Sequence, residues 1–312
     1  MRWPRSAAWP LALAAAVGLA SCGGDDTASD DSVRAAKPAH DVAALARRAF
    51  GPNPNATSGR IDGRITITVK GARGYGEPVK LAMSGPFRAR SGSVLPDYAI
   101  DLSIDDQGIG LSSIGGRSFV SLGSSGYQVP LRVRRRLARS AAKGRNGLTR
   151  MLEQFGIAPW RWETNKRIGA TERVVGVQTV RVDTGVDVDR FLRDANTLGG
   201  VLASLGVARA NGVPARIPAA ARRILVESVR AARGASWIAT SDKVMRKAGL
   251  TIDFRVPRGR RARLGGTSSA KVVAELLVSE VGRRHTIEAP QTLAPFSSLQ
   301  AAFDALAEND RR

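Results

Sequence analysis

In RIDGRITITVK (60–70), Ile61, Ile65, Ile67 and Val69 fall on one parity, and Arg64, Thr66, Thr68 and Lys70 on the other. Successive side chains of an extended chain point to opposite faces, so this segment reads as a strand with one buried and one wet face. VKLAMSG (79–85) repeats the pattern with Val79, Leu81 and Met83. PDYAIDLSIDD (96–106) sets Tyr98, Ile100, Leu102 and Ile104 against Asp101, Ser103 and Asp105. Residues 108–129 add two or three short strands, punctuated by Gly115-Gly116 and by GSSG (123–126). Five or six strands joined by short turns make an antiparallel meander, whose apolar face demands a cover.

Helical spacing supplies that cover. In HDVAALARRAF (40–50), Asp41 caps a helix that puts Val42, Leu45, Ala46 and Ala49 on one face. Residues 130–144 and 147–156 have helical spacing, with Pro130 at a permissive start and glycines at the ends. Two further helices, 190–210 and 217–233, flank NGVPARIP (211–218). About ten amphipathic strands and several amphipathic helices must bury their apolar faces on each other, which gives an α+β layer arrangement.

The chain has a single cysteine, Cys22, so it has no disulfide, zinc cluster or redox pair to stabilise it. Ahead of it, Arg2 and Arg5 precede an apolar run, Ala7 to Ala20, that is short of the roughly 20 residues needed to span a bilayer. Such a segment reads as an export signal. Leu19-Ala20-Ser21-Cys22 resembles the lipobox of bacterial lipoproteins. That resemblance implies diacylglycerol on the Cys22 thiol, cleavage just before it, and a protein lipid-anchored on the extracytoplasmic side of the cell membrane. An ordinary secretory signal with an incidental cysteine is the other reading. GGDDTASDDS (23–32) is small, polar and acidic, a composition that cannot offset the entropy of ordering. The organisation expected is a signal peptide over 1–22, a flexible tether over 23–39, and one domain over 40–312 with a helical insert around 190–233.

The net charge is +21, and only eight of the 48 basic residues are lysines. Export argues against nucleic acid as the partner, and no nucleic-acid-binding signature is present. Arg132, Arg134, Arg135, Arg136 and Arg139 crowd one helix. Arg134, Arg135 and Arg136 are the candidates for contact with an anionic membrane, where each basic residue contributes ~1 kcal/mol close to the surface. A solvated basic face is the alternative.

Further along, Gly169, the run Val174 to Val182, and VDVDRFLRD (186–194) set a strand that steps through Val-Asp into a helix. ASWIATSDKVMRKAGLTIDFRVP (235–257) then reads as a strand with Trp237, a turn at Ser241-Asp242, and a strand with Ile252, Phe254 and Val256 on one parity. A last strand and Ile287 to Pro290 (I-x-A-P) follow. This order over residues 61–299 resembles that of LolA-like and LppX-like bacterial envelope lipoproteins. The resemblance implies an incomplete, strongly curved antiparallel barrel with helices across its concave face, binding or carrying a lipid or acyl chain in an apolar cavity. The side chains expected to line it are Ile65, Ile67, Val69, Leu81, Met83, Ile100, Leu102, Ile104, Ile252 and Phe254. A hollow loses ~24 cal/mol per Å³ relative to a filled core, so one wide enough for an acyl chain is kept only for use. The same aliphatic composition suits a solid core, and then the protein is a non-transport envelope scaffold or sensor. Membrane lipids, through acylated Cys22, and a hydrophobic lipid ligand are the partners expected.

Groups for catalysis are scarce. No nucleophile elbow, zinc-protease helix or phosphate loop is present. His40 and His285 stand alone, and neither Asp183/Asp187/Asp189 nor Asp101/Asp105/Asp106 is framed by a calcium loop. Asp183 and its neighbours mark a strand-to-helix turn instead. The expectation is a non-enzyme without cofactor or metal.

Overall fold

A computed structural model describes residues 42–51, 53–72, 76–90, 95–104, 107–141, 146–204 and 216–309. The signal, Cys22, the tether and His40 lie outside them. The strands are β1 Ser58–Lys70, β2 Val79–Arg88, β3 Asp97–Ile104, β4 Gln107–Ile114, β5 Arg117–Leu122, β6 Ser125–Gln128, β7 Glu163–Val174, β8 Val177–Val186, β9 Val229–Ala239, β10 Met245–Arg255, β11 Ser269–Ser279 and β12 Thr292–Ala294. The helices are α1 Val42–Phe50, α2 Leu131–Ala141, α3 Gly147–Gln154, α4 Val188–Ser204, α5 Ala219–Glu227 and α6 Leu299–Asn309.

All twelve strands form one curved, unclosed sheet in the order β12-β6-β5-β4-β3-β2-β1-β11-β10-β9-β8-β7. Every pairing is antiparallel except β12 with β6. The fold is therefore the expected α+β incomplete barrel. Register carries the apolar parity from strand to strand: Ile65 stands opposite Leu81 and Ala274, and Leu81 opposite Ile104. Ala274 stands opposite Leu250 in turn. The helices lie on this concave side, where Leu137, Met151, Leu152, Phe191, Leu192, Leu225 and Phe303 join the strand residues in one core.

Both edges are protected against pairing with another chain. β7 carries two register shifts and a largely exposed, charged sequence, which spoils a flat edge. At the other edge the chain provides its own cover. After β11 a segment turns at Gly282, whose N–H donates to the Ser58 carbonyl at 3.1 Å. It then crosses the convex face, places β12 against β6, and returns α6 to the concave side, where Leu299 and Phe303 are buried. Gly126 has no side chain to obstruct this strap, which brings Pro290 into the space a methyl would occupy.

The second insert helix is shorter than its periodicity suggests. α5 stops at Glu227, with the Ser228 hydroxyl donating to the Ile224 carbonyl, and residues 229–233 open β9 against β10. Short apolar runs fit both periods, and the neighbouring strand decides between them. Asp187 does mark the strand-to-helix turn: its carboxylate accepts from the Arg190 N–H at 3.0 Å at the start of α4.

Candidate functional site

The concave wall divides into a fully buried part and a half-buried part. Ile65, Ile67, Val69, Ile100, Ile252 and Phe254 are all buried, none more than 6% exposed, in the core shared with the helices. On β2 and β3, by contrast, Leu81, Met83 and Leu102 are only half-buried, as is Val79. In register, Leu81 stands opposite Ile104 and Met83 opposite Leu102, so Val79, Leu81, Met83 and Leu102 form a continuous apolar lane. Ile104 ends β3 at the head of this lane. Gly63 on β1 leaves a notch that Met83 fills, since a methyl there would lie 2.7 Å from the Met83 Cγ. A thioether side chain is the one most easily swung aside.

The lane lies toward the end of the sheet where β1, β3 and β10 stop and β2 and β11 begin. A basic turn stands at this end. Residues 258–264 form a 3-10 turn between β10 and β11, held by buried Leu264 and by the Arg261 Nε donating to the Val256 carbonyl at 3.2 Å. Arg260 pairs with Glu227. Arg255, Arg258, Arg263, Lys70 and Lys271 are exposed, with no ion pair among the described residues. The β1–β2 connection touches this turn, for a methyl at Gly71 would sit 2.8 Å from the Gly266 carbonyl oxygen. The sequence pattern singles out Arg134, Arg135 and Arg136 rather than this group, although RGRRAR (258–263) is as dense in arginine.

Of the three arginines chosen on α2, Arg134 is half-buried and donates to the Gly116 carbonyl, which ties it to the β4–β5 turn. Arg135 and Arg136 are exposed. The α2 arginines and the basic turn are thus separate features: α2 follows the β6 edge, and the turn lies beyond β1.

At the opposite end the concave face is polar. Tyr98 pairs with Ser113, and Ser113 with Ser118, beneath α3. Neither serine hydroxyl has a hydrogen-bond partner, nor does either polar atom of fully buried Gln154. Burial raises the Tyr98 hydroxyl above its ordinary range. The Gln154 amide lies near enough to draw it partly back, though not in hydrogen-bonding geometry.

α4 is fixed across the wall by Asp194, whose Oδ2 accepts from the Ala158 N–H at 3.0 Å and the Trp162 indole N–H at 2.9 Å. Burial holds this carboxyl above its ordinary range, against the pull of those two donors and of nearby Arg161 and Arg193. His285 lies 3.4 Å from Glu280, away from the lane. Among the described residues no cluster of His, Cys, Asp and Glu has the makings of a metal site, and no helix is long and apolar enough to cross a membrane.

No family model matches the chain, and no curated protein matches it. Among solved structures it is similar to the Mycobacterium tuberculosis lipoprotein LppX, at 15% identity and a TM-score of 0.41, over 80% of this chain and 100% of that one. It is similar to LprF from Mycobacterium bovis at 10% identity and a TM-score of 0.39, over 82% and 99%. The Pseudomonas aeruginosa MucA/MucB complex is similar at 10% identity and a TM-score of 0.32, over 80% and 60%. The fold assignment itself rests on the twelve-strand order and the helices on the concave face.

Proposed function

We propose that this protein is an extracytoplasmic, membrane-anchored holder or carrier of an acyl chain, seated along the half-buried lane of Val79, Leu81, Met83 and Leu102. The carrying observation is that these four residues lie on the buried face of the sheet yet keep solvent contact, while their neighbours on the same parity are packed shut. A tail laid along them gains ~0.8 kcal/mol per methylene removed from water and needs no directed hydrogen bond. The basic turn beside the lane suits an approach to anionic headgroups. Cys22, acylated, holds the protein at the membrane, and the acidic tether gives it reach.

Native mass spectrometry after mild extraction tests this reading. A stoichiometric lipid mass and saturable uptake of a fluorescent fatty acid support it. A clean apo mass with no uptake refutes it. The packed state of Ile65, Ile67, Val69, Ile100, Ile252 and Phe254 favours the second reading, an envelope scaffold with a solid interior, and the apo result is the outcome that reading requires.

A further inference from the structure

The β10–β11 hairpin carries an unbroken run of positive charge: between Asp253 and Glu275 the chain has six basic residues and no acidic one. Register gathers exposed cations on its convex face. Lys70 and Arg255 both stand opposite Ser269, on either side of β11, which puts their Cα atoms about 10 Å apart. Lys271 lies two residues along β11, about 7 Å from that row and on the same face. Arg258 and Arg263 stand just beyond, in the turn itself. The one carboxylate among them is half-buried Asp253, opposite Lys271. These five cations are exposed, with no ion pair among the described residues. α2 offers only three of that kind, Arg132, Arg135 and Arg139, since Arg134 donates to the Gly116 carbonyl and Arg136 is engaged as well.

The same chain holds an acidic counterpart. Residues 23–32, outside the described residues, contain Asp25, Asp26, Asp30 and Asp31 and no basic residue, in a chain where basic residues outnumber acidic ones 48 to 27. Their reach is set by α1, which begins at Val42 and packs Leu45 and Ala49 in one cluster with Ile238. Ile238 stands opposite Met245, at the end of β10 away from the turn. From Met245 to Arg255 the strand spans about 33 Å. Asp31 and Asp26, eleven and sixteen residues ahead of Val42, reach about 38 Å and about 55 Å when the chain is extended. The tether is long enough to return to the hairpin, and a linker of such length keeps its charges there at a millimolar effective concentration.

We propose that Asp25, Asp26, Asp30 and Asp31 dock against Lys70, Arg255, Arg258, Arg263 and Lys271, and so compete with anionic headgroups for the basic turn. The docking needs no lipid. The competition rests on the approach to headgroups proposed above.

The test uses the full-length Cys22→Ser chain in micelles of an uncharged detergent, with a single spin label on Ala28→Cys, read by NMR. The amides of residues 255–271 should broaden at about 20 mM salt and recover at about 500 mM, as the Debye length falls from about 20 Å to about 4 Å. Substituting all four aspartates by asparagine should remove the broadening. These changes lie ahead of α1, so the folded domain is untouched. Broadening that ignores salt, survives the four substitutions, falls mainly on α2 or spares the hairpin would overturn the docking. Phosphatidylglycerol added to the micelles should restore the hairpin signals, and phosphatidylcholine should not. If phosphatidylglycerol shifts the hairpin amides but leaves the broadening in place, the competition is overturned. If it shifts none of them while the broadening persists, the headgroup approach is refuted and the docking upheld.

Discussion

Leu81→Asp separates an open lane from a filled core. Leu81 lies on the core parity opposite Ile65, but it is half-buried where Ile65 is 6% exposed. A carboxylate placed in a closed interior remains unpaired and costs several kcal/mol, enough to unfold a domain whose whole stability is about 5–15 kcal/mol. At the rim of an open lane the same carboxylate keeps its water. The cost then reduces to lost apolar contact and poorer strand propensity, about 1–2 kcal/mol. Ile67→Ala is the interior control: Ile67 is 1% exposed, and its truncation should cost about 2–5 kcal/mol. Binding should show the reverse order. A bound tail would desolvate the carboxylate of Leu81→Asp, and a penalty of about 3 kcal/mol lowers affinity more than a hundredfold. Ile67→Ala should leave affinity within a fewfold of the parent. Urea denaturation gives the first pair of numbers and titration with a fluorescent fatty acid the second. If Leu81→Asp destabilises as much as the interior control, or if its fatty-acid affinity matches the parent's, the lane is not the binding surface.

Cys22→Ser should release the protein from membranes into the soluble fraction, and retention at the membrane would refute lipid anchoring. Arg258→Glu with Arg263→Glu should weaken binding of the soluble domain to vesicles rich in anionic lipid, and more so at low salt; the same change on Arg135 tests α2 against the basic turn. Asp194 binds its proton more tightly when folded than when unfolded, so wild-type stability should fall as pH rises from about 3.8 through the raised folded value. Asp194→Asn keeps an acceptor for Ala158 and Trp162, and should flatten that slope in chemical-denaturation profiles; an unchanged slope refutes the assignment. Gln154→Met removes two buried polar atoms without partners and nearly conserves volume, so a gain of about 1 kcal/mol is expected in urea melts. A loss of 2 kcal/mol would mean that something satisfies those atoms in solution.

Much of the architecture was legible from period alone. The alternation in β1, β2 and β3 fixes which face each side chain takes, because a strand has a two-residue repeat and one of its faces must leave water. Helix starts were legible where local chemistry sets them, as at Asp187 ahead of α4. Other features were not. Residues 229–233 read as helix until β10 offers them partners, since a short apolar run satisfies either period. Arg134 reads as a free cation until the Gly116 carbonyl meets it from a separate turn.

What the sequence determined by itself is local: the strand parities, and a single cysteine that leaves the chain no partner thiol for an internal disulfide. The tertiary structure alone decided which positions on one parity are shut and which stay open. Ile67 and Leu81 are equally apolar and share a face. Only the placement of the helices over that face buries the first and leaves the second in contact with water. The cation cluster has the same origin, since Lys70 and Arg255 come together only because β11 pairs with both β1 and β10. Coverage is a property of long-range packing, and no periodicity within a strand records what will lie above it.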